Sequence, residues 1–141
     1  MGFFSGINLA GAALGFMIGV FGFIIVRYWI RPVSGYGRLK KRAAEAVEGH
    51  LALLEKNSAD TQTKKEFKES RQRLRRAASE LTDAFHQELP HWYRIRLRAR
   101  GEDPPEAAGL LMKLSNTRDP VPGRRQGEQL RELLFLQGKR K

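Results

Sequence analysis

Gly11-Ala12-Ala13-Leu14-Gly15-Phe16-Met17-Ile18-Gly19-Val20-Phe21-Gly22 lies inside a run from Met1 to Val26 with no charged side chain. About 20 apolar residues at a helical rise of 1.5 Å cover roughly 30 Å of hydrocarbon, so this run is long enough to cross a bilayer as one helix. Gly11, Gly15 and Gly19 recur at four-residue intervals, close to one helical turn, with Ala12 beside them and Gly22 near the same face. Lipid removes the hydrophobic force between helices, and close backbone packing by small residues takes its place. The expectation is a transmembrane helix over residues 1–31 whose glycine face packs against another helix.

A cleaved secretory signal is the alternative, but such signals open with a basic segment, and nothing basic precedes this run. Ala44-Glu45-Ala46 mimics a cleavage site, yet Arg27, Arg31, Arg38, Lys40, Lys41 and Arg42 separate it from the apolar helix. Those same residues, with no acid before Glu45, place the carboxyl-terminal bulk in the cytoplasm by the positive-inside rule. Tyr28 and Trp29 are positioned as an aromatic belt, with Phe3 and Phe4 at the opposite end. Gly6 stands where an N-myristoylation signal requires Ser or Thr.

The remaining chain, about 110 residues, suffices for one compact domain. The chain carries 26 basic against 15 acidic residues for a net +11, all of it after Val26, and has no cysteine. Disulfides, thiol catalysis and cysteine-bound zinc are therefore excluded, and an anionic partner is favoured. Pro32 predicts a kink or linker over residues 32–38. Leu39, Ala43, Val47, His50, Leu51 and Leu54 then recur at three- and four-residue spacing, one buried stripe on a helix from Gly37 to Lys56. Asn57 to Thr63 is a polar break. Phe67, Leu74, Ala78, Leu81 and Phe85 mark a second helix over residues 64–88, its seven-residue repeat broken by Arg71. The short connection favours an antiparallel hairpin over a long coiled coil.

Pro90 ends that helix. Residues 91–100 alternate arginine with apolar side chains at a period that argues for a strand, but with no partner strand they are assigned to a short helix or irregular segment. Asp103-Pro104-Pro105-Glu106 is a helix start, with a capping Asp, proline in the first turn and Glu three residues after the cap. That helix continues to about Asn116. Residues 117–123 read as a proline-rich loop, and Leu130, Leu133, Leu134 and Leu136 define a last helix before the basic tail 138–141. The fold class is all-α: one N-terminal transmembrane helix followed by a small cytoplasmic helical hairpin or bundle over residues 39–137.

Pro90-x-Trp92-Tyr93, Glu106-Ala107-Ala108 and Leu114-Ser115-Asn116 together resemble an uncharacterised family of small bacterial single-pass inner-membrane proteins with a cytoplasmic helical domain. The resemblance covers most of residues 25–116. It implies architecture and a bacterial inner-membrane location, and brings no activity or catalytic residues with it.

No constellation suited to catalysis, to a metal or to another cofactor stands out, so a non-enzymatic role is expected. His50 falls on an apolar stripe as a core residue, and Pro90 separates His86 from His91, which rules out a shared helical ligand pair. Asn8 is the only strongly polar side chain in the apolar run, which disfavours an ion pathway. Arg71, Arg73, Arg75 and Arg76 read as a solvated helix face. The juxtamembrane cations Arg27, Arg31, Arg38, Lys40, Lys41 and Arg42 are candidates for anionic headgroups of the inner leaflet, and so are Trp92, Arg94, Arg96 and Arg98. Packing of Trp92 and Tyr93 inside the bundle is the competing role. Gly11, Gly15, Gly19 and Gly22 are the helix-packing candidates. The expected function is a self-associating membrane-anchored scaffold, with an accessory subunit of a larger membrane complex as the alternative and a tethered nucleic-acid binder the least favoured.

Overall fold

A computed structural model describes residues 3–56 and 60–135, which form helices joined by short turns, with no strand among them. The helices are α1 (Phe3–Ile25), α2 (Arg31–Lys56), α3 (Thr61–Asp83), α4 (His91–Ala99), α5 (Pro104–Asn116) and α6 (Pro120–Phe135). Five-residue π-helical turns, Val26–Ile30 and Ala84–Glu88, extend α1 and α3. The side chains of Phe3, Phe4 and Asn8, residues 57–59, Leu136 and the basic tail 138–141 lie outside the described residues.

The expected linker at 32–38 is not there. From Leu9 to Lys56 the chain is one uninterrupted helix of 48 residues, apolar and long enough at its amino-terminal end to cross a membrane. Proline in a straight α-helix loses one hydrogen bond and collides with the carbonyl four residues back. The π turn directly ahead of Pro32 changes the register at this point, and the Arg31 N–H reaches back to the Val26 carbonyl. Pro32 is thereby accommodated without ending the helix. α1 and α2 meet with no flexible segment between them.

α2, α3, α5 and α6 form an up-down-up-down four-helix bundle in which each packs on two neighbours, in the order α2, α3, α5, α6 and back to α2. The antiparallel α2–α3 hairpin agrees with the sequence pattern: His50 meets Phe67 and Ser70, while Arg42 faces Glu80 nearer the α1 end. Val47, Leu74, Leu81, Leu111, Leu114, Leu130 and Leu134 form the centre of the core. α6 begins earlier than expected, at Pro120, so that the connection from α5 is only three residues. Asp119 caps it, accepting from the Val121 N–H at 3.2 Å. Gly123 and Gly127 then allow close approach to α2. A Cβ at either position would sit 2.8 Å from Leu54 Cδ1 or 2.9 Å from Leu51 Cδ1.

α4 crosses from α3 to α5 at the α1 end of the bundle, helical despite its period-two alternation. It ends in a Schellman motif: the Glu102 N–H bonds the Leu97 carbonyl and the Gly101 N–H bonds the Arg98 carbonyl, both at 3.0 Å. Gly101 sits at φ 75°, the left-handed conformation that L side chains resist. Asp103 follows as the cap of α5, as its sequence indicates, accepting from the Glu106 N–H at 3.2 Å. Gly101→Ala is expected to cost about 1 kcal/mol, read as a lower urea midpoint at unchanged slope.

Candidate functional site at the α1 end of the bundle

Two features meet where α1 enters the bundle. The first is the surface of α1 itself. Every side chain from Leu9 to Ile30 is exposed, and Gly11, Gly15, Gly19 and Gly22 share one open face with no atom within 4 Å of where a Cβ would stand. Gly123 and Gly127, with the same four-residue spacing in α6, are filled by α2 of the same chain. Among the described residues, the glycine face of α1 has no such occupant.

The second feature is an aromatic junction. Trp29, in the π turn, lies 5.4 Å from Trp92 on α4 (ring centroids, 41° between planes). Trp92 meets Tyr93 edge-on at 5.4 Å, and Tyr93 meets Tyr36 edge-on at 6.2 Å. Tilted and T-shaped pairs at these separations are the favourable geometries for aromatic rings. Tyr36 is fully buried, and burial with the Glu102 carboxylate beside it pushes its phenol far above the usual range. Tyr93 is raised by the same two causes, burial first, with Arg100 and Arg96 opposing. Both rings stay neutral hydroxyls at any physiological pH.

The basic candidates divide. Lys40 is withdrawn from any headgroup role: its ammonium donates to Glu102 Oε2 and to the Leu134 carbonyl, both at 2.9 Å, joining α2 to the α4–α5 turn and to α6. Arg38 and Arg42 are exposed but line a shallow groove with Glu80, Asp83 and Glu88 of α3 and its π turn. Arg27, Arg31 and Lys41 point outward. On α4, Arg96 and Arg98 are exposed, with the Arg98 guanidinium 6.0 Å from the Phe85 ring centre, whereas Arg94 is half-buried. Ile95 and Arg100, not singled out from the sequence, are exposed beside them. The three-residue spacing of Trp92 and Ile95 was the available signal.

Arg71 and Arg75 are not a solvated face. Arg71 Nε donates to the Ser115 carbonyl at 2.7 Å, and Arg75 Nη2 donates to Asn116 Oδ1 at 2.9 Å. The α5 carboxyl-terminal end is capped by two cations of α3, which satisfies an orphan carbonyl and complements the helix dipole. The Arg71 break in the apolar repeat is therefore a packing feature.

His50 is completely buried, as expected of a core residue, with Nδ1 2.9 Å from Ser70 Oγ and its ring 5.0 Å from Phe67. Desolvation holds its pKa below the usual 6.5, aided by Arg71 and opposed by the carbonyls of Thr117 and Leu114. A base whose folded-state pKa is depressed stabilises the fold above its unfolded pKa and loses that contribution as pH falls. Stability is thus expected to hold steady above about pH 7 and decline below about 6.5, with a shallower decline in His50→Leu. Chemical-denaturation midpoints across this range measure the slope.

These features define an all-helical protein with a long apolar helix standing outside a basic four-helix bundle. No family model, no curated protein and no solved structure matches the chain.

Proposed function

We propose that this chain is a non-enzymatic, membrane-anchored helical scaffold of the bacterial inner membrane, with its bundle in the cytoplasm, which self-associates through the glycine face of α1. The observation that carries it is the open glycine face on a helix whose side chains from Leu9 to Ile30 make no core of their own. An apolar helix of this length needs lipid around it, and a small-residue face inside lipid favours a second helix brought to close range. The continuous α1–α2 helix couples such packing rigidly to the bundle, so neighbouring copies would hold their cytoplasmic bundles at fixed rotation. The exposed Arg27, Arg31 and Lys41 support the orientation.

Cross-linking in intact membranes tests this, because the natural chain has no cysteine. Ala12→Cys, beside the glycine face, is expected to form a disulfide-linked dimer on oxidation, whereas Met17→Cys, on the opposite face, is not. Equal cross-linking from both faces contradicts specific packing. Cross-linking of Ala12→Cys only to a foreign protein assigns the face to an accessory role.

A further inference from the structure

Outside α1 and its π turn, few large apolar side chains among the described residues stand exposed: Trp92, Ile95, Met112 and Val121. Met112 and Val121 are single residues on α5 and α6. Trp92 and Ile95 lie one turn apart on α4, 40% and 56% exposed, and so form one apolar patch. Trp92 packs against Trp29, which places that patch beside the exit of the apolar helix. Arg96 stands one turn from Trp92 and Arg98 one turn from Ile95, with Arg100 exposed at the end of the helix, and among the described residues no carboxylate lies within ion-pair distance of any of them.

We propose that this face of α4, Trp92 and Ile95 with the surrounding arginines, docks into the headgroup layer of an anionic phospholipid leaflet at the foot of the anchor. The proposal rests on α1 spanning the membrane. An apolar strip between arginines is the composition of a helix lying in the interface, with rings and aliphatic carbons at the acyl boundary and guanidinium groups among the phosphates. Tryptophan prefers that depth, and Trp29 and Trp92 occupy it together. A second copy is a poor occupant, because two-fold pairing of this face would set arginines against arginines. Lipid supplies the opposite charge. The bundle then has two attachments, the anchor and α4, which fix its tilt against the leaflet.

The test uses full-length protein reconstituted in vesicles of phosphatidylcholine, with or without phosphatidylglycerol, carrying shallow brominated acyl chains. Trp29→Phe leaves Trp92 as the single tryptophan, and Trp92→Phe leaves Trp29. Trp92 is expected to be quenched by bromine to within about twofold of Trp29, and more strongly when phosphatidylglycerol is present. Replacing Arg96 and Arg98 by Gln is expected to lower that quenching by about twofold. Quenching of Trp29 without quenching of Trp92 overturns the docking while leaving the anchor intact. Absence of quenching at both positions overturns the anchor itself. Quenching of Trp92 that ignores lipid charge overturns the role of the arginines. A nitroxide on Ile95→Cys gives a readout independent of either tryptophan substitution: accessibility to oxygen above that to an aqueous nickel complex supports docking, and the reverse ratio overturns it.

Discussion

Gly15→Leu is expected to weaken self-association of the full-length protein by at least about tenfold while leaving the melting of its bundle unchanged. Leucine adds an isobutyl group at the centre of the glycine face and holds two helix backbones apart. Apart from the backbone of its own helix, no atom of the described residues stands within 4 Å of the Gly15 Cβ position, so the substitution meets no packed neighbour there. The matching substitution in the other spaced pair has the opposite signature. Gly127→Leu drives a side chain into Leu51 and destabilises the bundle. Comparing the two variants by detergent-phase mass and by thermal melting separates contact between chains from contact within one. Loss of bundle stability in Gly15→Leu would contradict the open face.

Leu111→Ala is expected to destabilise the bundle by about 2–5 kcal/mol. Leu111 is 0% exposed on α5, the helix that packs against both α3 and α6. Removing its side chain leaves a cavity between closely packed helices, where collapse is limited. Small domains have only about 5–15 kcal/mol of stability in total, so a large share is lost. Urea denaturation of the full-length protein in detergent measures it. A loss below about 1 kcal/mol would mean that α5 is not the wall between α3 and α6.

Local signals carried much of this fold. The α2 stripe, the α2–α3 hairpin and the Asp103-Pro104-Pro105-Glu106 cap are written in neighbouring residues, where spacing alone decides. What escaped depends on distant partners or on rules broken locally. Arg71 interrupts an apolar repeat because its acceptor, the Ser115 carbonyl, lies 44 residues away. Pro32 signals a break unless a π turn precedes it. Asp119-Pro120 is the same cap and first-turn proline as Asp103-Pro104, but Pro122 and Gly123 behind it read as loop. Proline is tolerated there because first-turn N–H groups have no intrahelical partner. In residues 91–100 the arginines alternate with period two, whereas the inward positions, half-buried Tyr93 and buried Leu97, are four apart, and that spacing is the one the helix uses.

The candidate site divided along the same line. The glycine face was visible as spacing, and the structure adds that nothing among the described residues fills it. Lys40 looked like one more juxtamembrane cation, and only tertiary contact reveals its bond to Glu102. Trp92 and Trp29, 63 positions apart, gained meaning by their ring contact.

Self-association is tested most directly by native mass measurement of the wild-type protein extracted in mild detergent. A detergent-stable assembly at an integral multiple of the 16.1 kDa chain is expected, reduced to the single-chain mass by Gly15→Leu. A wild-type monomer at 16.1 kDa, or an assembly whose mass requires a different protein, would contradict it.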